Sequence, residues 1–266
     1  MLFEELPVDL VREVLLRVDG RTLIVFCQLV CKKWHSVIDD VGFWRKKCRQ
    51  ENVIFAEKHT SETVKSIIRV YLLRPFGKNL IKNPSGEEQM RHWEALRGGG
   101  EGFIIERPPV YVETDVFPVC FATSFESDIK LQAVDLIKEG CDSKVLDSLK
   151  PVITVSEWHA ARIDCASTHG LVVHLLKSKQ IDNLQRFDLS PWQSTPPDVI
   201  TRTTFEKFTR VEQWQDGKWI QTVHSFRDYP EGIRVVMFYS IGLDNQFWAG
   251  HYGAKMAGAS VVVHFD

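Results

Sequence analysis

The apolar residues of this chain change their spacing near Asn79, and that change limits the folds open to it. Before this point Leu6, Leu10 and Val14 recur every four positions, which places them on one helical face, with Pro7 suited to a first turn. Asp19-Gly20 breaks that helix. A second apolar segment runs from Leu23 through Cys27 to Val30, and a third carries Trp34, Val37 and Ile38. Phe43 and Trp44 then lead into the basic stretch Arg45-Lys46-Lys47-Cys48-Arg49. Thr63 to Leu73 predicts another amphipathic helix, ended by Arg74-Pro75-Phe76-Gly77.

Beyond Asn79, short runs rich in Val, Ile, Phe and Thr alternate with turn signals, the pattern of strands in a sandwich or barrel. Candidate strands are Val119 to Phe125, Ala133 to Ile137, Val152 to Val155, Leu171 to Leu176, Lys218 to Phe226, Ile233 to Ser240 and Ser260 to Phe265. Turn signals include Gly98-Gly99-Gly100, Ser190-Pro191, Pro196-Pro197, Asp216-Gly217 and Tyr229-Pro230. One short helix is expected from Asp142 to Leu149, with Asp142 as its N-cap.

The chain is therefore an α+β multidomain protein. A small helical unit (1–48) leads through a helical linker (49–74) into a β domain (75–266). The helical unit carries Leu6, Leu10, Leu16, Leu29, Val30, Trp34, Phe43 and Trp44, more apolar surface than so small a core can bury. Either another polypeptide covers the excess, or it packs on the β half of the same chain.

Charge and length remove several function classes. Thirty-three Lys and Arg against 35 Asp and Glu give a net charge of −2, without the positive excess a general nucleic-acid binder needs. No apolar run reaches the roughly 18 residues of a membrane span, so no membrane insertion is expected. The start, Met1-Leu2-Phe3-Glu4-Glu5, is acidic where a signal peptide is basic. Six scattered cysteines fit reduced thiols in the cytoplasm.

Leu6-Pro7-Val8-Asp9-Leu10, Val14-Leu15-Leu16, Leu29-Val30-Cys31, Lys33-Trp34 and Phe43-Trp44 together resemble an F-box. The resemblance implies a three-helix unit that docks on the Skp-type adaptor of a ubiquitin ligase with cullin and RING subunits. Leu6, Pro7, Leu10, Leu16, Leu29, Val30, Trp34 and Trp44 would meet the adaptor.

The β half is similar to the F-box-associated domain of the sugar-recognising F-box proteins. The matching stretches include Asn79 to Pro84, Phe121 to Phe125, Gln132 to Leu136, Ala161-Arg162 with Asp164-Cys165, Phe226 to Pro230, and Phe247 to Gly253. That family has a two-sheet antiparallel β-sandwich, and some members bind the inner chitobiose of high-mannose N-glycans at one tip. A pyranose has apolar faces and a hydroxyl rim, so its reader needs an aromatic platform and a few orienting polar groups. Phe247-Trp248 would be the platform, and Asp164 aligns with a pocket carboxylate. Phe247 stands where the family's sugar binders have Tyr, His251 replaces a Trp, and Ser127 and Cys141 stand where relatives often carry aromatics.

Catalytic and metal readings are weak. Cys27 and Cys31 share a helical face but lack a second ligand pair. His159, Cys165 and His169 are close enough in sequence to suggest a Cys-His nucleophile, yet no family-specific signature surrounds them. Gly98-Gly99-Gly100-Glu101-Gly102 lacks the Lys-Ser/Thr of a phosphate loop. Arg45-Lys46-Lys47 reads as a solvated complement to a helix C-terminus.

The expectation is thus a non-catalytic substrate-recognition subunit, without cofactor or metal, in the cytoplasm at the cytosolic face of the endoplasmic reticulum. Its clients would be misfolded glycoproteins marked for ubiquitylation and degradation. The alternative is that the sandwich binds a protein epitope and not a glycan. The linker around Glu57 to Leu73 would fix the distance between the two halves.

Overall fold

The computed structural model describes residues 6–58, 62–109, 112, 116–177, 198–215 and 217–266. The turn signals Ser190-Pro191 and Pro196-Pro197, and Asp216 of Asp216-Gly217, lie outside the described residues.

The helical part comprises α1 (Val8–Leu16), α2 (Gly20–Val25), a 3-10 turn (Cys27–Leu29), α3 (Lys32–Ile38), α4 (Val41–Gln50) and α5 (Val64–Leu73). Asp19-Gly20 opens a helix here, since α1 has already ended at Leu16. The Asp19 carboxylate accepts the Thr22 N–H at 3.0 Å, satisfying one of the orphan donors of α2. Gly20 has no room for a side chain: a Cβ there would lie 2.0 Å from the Tyr71 ring of α5. The fourth helix runs through the basic stretch and past residue 48.

That stretch is solvated only in part, with Lys46 and Arg49 exposed and Arg45 half-buried. Lys47 is buried, and its ammonium donates to the Leu16 and Val18 carbonyls at 3.2 and 2.7 Å, closing the end of α1. Arg45 pairs with Glu62, Lys46 with Glu13 and Arg49 with Glu57.

Two antiparallel sheets follow. The six-stranded sheet has the order β1 (Glu94–Arg97), β4 (Asp128–Asp135), β10 (Ile233–Asp244), β6 (Ser167–Lys177), β8 (Thr204–Val211), β7 (Val199–Ile200). The five-stranded sheet runs β2 (Ile104–Glu106), β3 (Cys120–Ala122), β11 (Lys255–His264), β5 (Val152–Ala160), β9 (Ile220–Phe226). The expected helix is α6 (Ser143–Ser148), and Asp142 caps it by accepting from Lys144 N–H at 2.7 Å.

The inner faces of the sheets change character along their length. Ile153 and Val155 of β5, Val173 and Leu171 of β6, and Val236 and Phe238 of β10 form an apolar layer. Further along the same strands the inward positions become Glu157, His159, His169 and Ser240, all buried. Lys130 of β4 joins them, its ammonium 2.8 Å from Glu157 and 3.8 Å from the Trp93 ring centroid. One end of the sandwich interior is therefore greasy and the other is a paired polar network.

The helices share the greasy end. A single apolar cluster runs from Val11 of α1 through Trp44 and Tyr71 to Val263 of β11. Phe76 bridges to Val263 and packs on Phe265, and Asn79 bonds along β11.

Candidate functional site

Two surfaces stand out, one on the helices and one at the polar end of the sandwich. On the helices, α1 buries Val11, Leu15 and Leu16 and leaves Leu10 and Val14, one turn apart, on its outer side. The chain then tightens from α2 into the 3-10 turn, and Val25, Phe26, Leu29 and Val30 all face solvent. Leu29 is 76% exposed. An exposed apolar patch of this kind marks a protein interface.

Of the residues expected to meet an adaptor, Pro7, Leu10, Leu29 and Val30 are exposed, and Leu6 and Trp34 are half-buried against the core. Leu16 and Trp44 are a correction, for both are sealed inside this chain. Trp44 is fully buried, donates its indole N–H to the Ile38 carbonyl at 2.8 Å, and packs edge-on against Phe43. Its apolar bulk shapes the unit from within, so Leu16 and Trp44 support the exposed apolar surface and do not form it. Val14, Val25 and Phe26 are also exposed and are not among the residues expected to meet the adaptor. The switch from α2 to a 3-10 turn rotates Val25 and Phe26 outward, and spacing alone does not reveal it.

At the far end of the sandwich three loops meet: β3–β4, β5–β6 and β10–β11. Asp164 lies in the second and Phe247-Trp248 in the third. The third is held by Asp244, the last residue of β10, which is itself buried. One carboxylate oxygen accepts the Gln246 N–H at 2.6 Å and the other accepts the Trp248 N–H at 2.8 Å. The Cys165 thiol donates to the first oxygen at 2.9 Å. A carboxylate acceptor on two amides of one turn fixes it more firmly than neutral bonds do.

So held, the turn pushes its aromatics into solvent: Phe247 is 64% exposed and Trp248 43%. Phe247 takes a left-handed backbone, φ 59°, strained for a bulky residue. Its ring meets Phe125 of the β3–β4 loop edge to face, centroids 5.1 Å apart. Trp248 meets Tyr252 at 5.8 Å and 86°. Arg162 stacks over the other side of this cluster, its guanidinium carbon 4.6 Å from the Tyr252 centroid. It also grips Asp164 with two parallel hydrogen bonds of 2.8 Å. Those bonds hold the Asp164 carboxyl below the usual carboxylate range, so it stays an ionised acceptor at neutral pH. The structure thus brings Asp164 and the two aromatics to one tip, linked through Arg162 and Tyr252.

Asp244, Arg162 and Tyr252 are positioning residues that the family pattern alone did not single out. Asp244 had a legible signal, since an Asp two and four residues before turn amides forms an Asx-type turn. Of the family departures, Ser127 sits at this tip and His251 in its third loop. Cys141 does not: its backbone bonds to Leu136, and neighbouring Gly140 faces Leu73 of α5, at the opposite end.

Beneath the tip, His159 and His169 stack face to face, centroids 4.3 Å apart and planes 13° apart. Burial, with His169 second, drives His159 well below its ordinary range and keeps it neutral. Burial pulls the Glu157 carboxyl upward, but Lys130 and His169 outweigh it and hold the group down at about 2. Cys165 faces Asp244 and Gln246, not a histidine, and burial with that carboxylate pushes its thiol up. A thiol so placed is a hydrogen-bond donor to the turn and not an activated nucleophile. Among the described residues, no group of three His, Cys, Asp or Glu could hold a metal ion, and no helix is long and apolar enough to cross a membrane.

Comparison with known proteins matches residues 3–46 to the F-box domain and residues 71–263 to the F-box associated region. F-box only protein 6 of Homo sapiens is 35% identical over 264 residues, 97% of this chain and 83% of the relative. F-box only protein 44 of Homo sapiens is 32% identical over 263 residues, covering 97% and 95%. F-box only protein 27 of Mus musculus is 33% identical over 276 residues, covering 97% and 89%. With both regions matched in order and near-full-length relatives above 30% identity, this chain belongs to the family of F-box proteins that carry an F-box associated region.

Proposed function

We propose that this chain, a substrate-recognition subunit of the SCF type, binds the chitobiose core of N-glycans on misfolded glycoproteins and presents them for ubiquitylation. The exposed apolar side chains of residues 7–30 would dock on an Skp-type adaptor, which brings cullin and RING subunits with it. Each large side chain that the adaptor fully covers contributes about 1.5–3 kcal/mol before ordering costs.

The observation that carries the glycan reading is the pinned Phe247-Trp248 turn beside the ionised Asp164. An aromatic face with a carboxylate at its edge matches the two needs of pyranose binding, a stacking plane and a hydroxyl acceptor. Without Tyr at 247 the platform lacks one phenolic hydroxyl, a difference of about 0.5–1.5 kcal/mol for a lost hydrogen bond. Chitobiose is normally covered in a folded glycoprotein, so its reader would select unfolded clients at the cytosolic face of the endoplasmic reticulum.

The test is calorimetric titration of the full chain, purified with its adaptor, against chitobiose and a high-mannose glycan. Saturable heat that disappears in Trp248→Ala supports the reading. Silence toward both ligands would overturn it and leave the tip to a protein epitope.

A further inference from the structure

The strands on either side of β6 end in matching ways. Ser167, the first residue of β6, pairs with Val211 of β8 on one side and with Asp244 of β10 on the other. Three residues beyond Val211 stands Trp214; three residues beyond Asp244 stands Phe247. Both take a left-handed backbone, φ 67° and 59°. Among the described residues they are the only Phe, Trp or Tyr to do so. Trp214 is 71% exposed, more than Phe247.

Both are also tied to the same loop, the one that carries Asp164. The Trp214 N–H donates to the Ile163 carbonyl at 2.6 Å, and the Gln213 side-chain amide donates to the Asp164 carbonyl at 2.9 Å. On the other flank the Asn245 N–H donates to the Ala166 carbonyl at 2.9 Å, and the Ala166 N–H donates to the Gln246 side chain at 2.7 Å. The Asp164 loop is thus clasped between two aromatic-bearing turns. With neighbouring strands about 4.8 Å apart, the two flanks are separated by about 10 Å. A left-handed bulky aromatic is strained, and strain that the surroundings over-determine collects where a side chain must be presented to something. The Trp214 backbone N–H and the Gln213 side chain fix this turn, and the turn so fixed holds the indole out in water.

From this symmetry we infer that Trp214 forms a second stacking surface, a subsite for one further sugar ring on the far flank of Asp164 from Phe247-Trp248. The ligand class is a β-linked oligosaccharide that begins with chitobiose and runs at least one ring longer, for which chitotriose serves as the probe. The inference rests on the glycan reading above and extends it: the site would be two-walled, with the Asp164 carboxylate between its walls.

The probes are chitobiose and chitotriose, titrated into the full chain purified with its adaptor. A trimer seated on Phe247-Trp248 offers its extra ring at either end. The wild type should prefer chitotriose by about three- to tenfold, the range expected of one aromatic stacking contact. In Trp214→Ala that preference should fall to unity, and in Trp214→Phe it should persist. Equal affinity of the wild type for both sugars, or a preference that survives in Trp214→Ala, overturns the subsite while the disaccharide reading stands. No binding of either sugar by the wild type sinks both together.

Discussion

Replacing Asp244 with Asn tests whether a buried carboxylate is what makes the aromatic tip a platform. The substitution is nearly isosteric but turns one acceptor oxygen into a donor. The amide oxygen would stay on the side with two donors, Gln246 N–H and the Cys165 thiol. The new NH2 would then point at the Trp248 N–H, which in the native turn reaches oxygen at 2.8 Å. Loss of that charged-acceptor bond, with the Trp248 amide left unpaired, costs about 2–4 kcal/mol. The turn would populate its native geometry only in part, and apparent affinity falls by the populated fraction, up to about thirtyfold for 2 kcal/mol. Calorimetric titration with chitobiose reads the affinity, and hydrogen exchange at Gln246 and Trp248 reads the released amides. Cys165→Ala is the control, because it removes one donor and leaves both turn amides their acceptor; its affinity should stay within about threefold of wild type, for it forfeits a single weak bond. Wild-type affinity with full amide protection in Asp244→Asn, or an equal loss in Cys165→Ala, would refute the reasoning.

Leu29→Glu should abolish capture of the adaptor in co-purification while leaving the melting temperature unchanged, since Leu29 is exposed. Trp44→Ala, by contrast, should cost about 3–5 kcal/mol of stability from the cavity it opens, read by chemical denaturation. Glu157→Gln leaves Lys130 buried without its counter-charge and should cost about 3–5 kcal/mol at neutral pH. Because the native Glu157 carboxyl sits at about 2 against an ordinary 4.5, its contribution is complete above pH 4.5 and fades as pH falls toward 2. Denaturation at pH 7 and pH 3 should therefore show the gap between wild type and Glu157→Gln narrowing in acid. Gly253→Ala should lower both stability and sugar affinity, because its Cβ would lie 2.9 Å from the Ser124 and Thr123 carbonyl oxygens and lift the third loop from its neighbour.

The parts of this fold that sequence reveals are those where one local rule decides. Thr63 to Leu73 combines an apolar stripe with a Thr63–Ser66 capping box, and the helix begins and ends as expected. Val152 to Val155 and Ile233 to Ser240 lie in long strands rich in β-branched residues. β8 has no strand signature in the sequence because Phe205, Phe208 and Val211 are three apart, a spacing that suggests a helix; alternation fails there because the strand is only partly buried. β1 and β2 are three or four residues long and acquire their identity from the strands they pair with. Asp164, Phe247 and Trp248 stand out in the sequence only through family resemblance, and the structure gathers them at one tip. The Lys130–Glu157–His169 network depends on bonds made across strands and leaves no period in the sequence, whereas Asp244 holds its own loop and is legible as an Asx-type turn. Leu16 and Trp44 show the reverse error, for a large apolar residue in a recognition motif is as readily its support as its contact.

The position of the two surfaces matters as much as their chemistry. β11 carries the aromatic tip at its Lys255 end and receives the bridge from Phe76 at Val263. Its ten residues, at about 3.4 Å each, separate the ends by about 30 Å. The helices are not tethered to that lower end by a loose chain: Arg69 donates to the Ile137 carbonyl at 2.6 Å, and Leu73 packs where Gly140 leaves room. Trp44 and Tyr71 continue the same core into the docking unit, centroids 5.2 Å apart. A client bound at the tip would thus be carried on a stiff strut, facing away from the helices that would hold the adaptor. Stiffness confines client lysines to a limited volume, and a confined volume means a high effective concentration for transfer. The same geometry explains the split interior: the greasy half of the sandwich bonds it to the helices, and the polar half, held by the hydrogen bonds of Glu157, supports the loops that would meet the ligand.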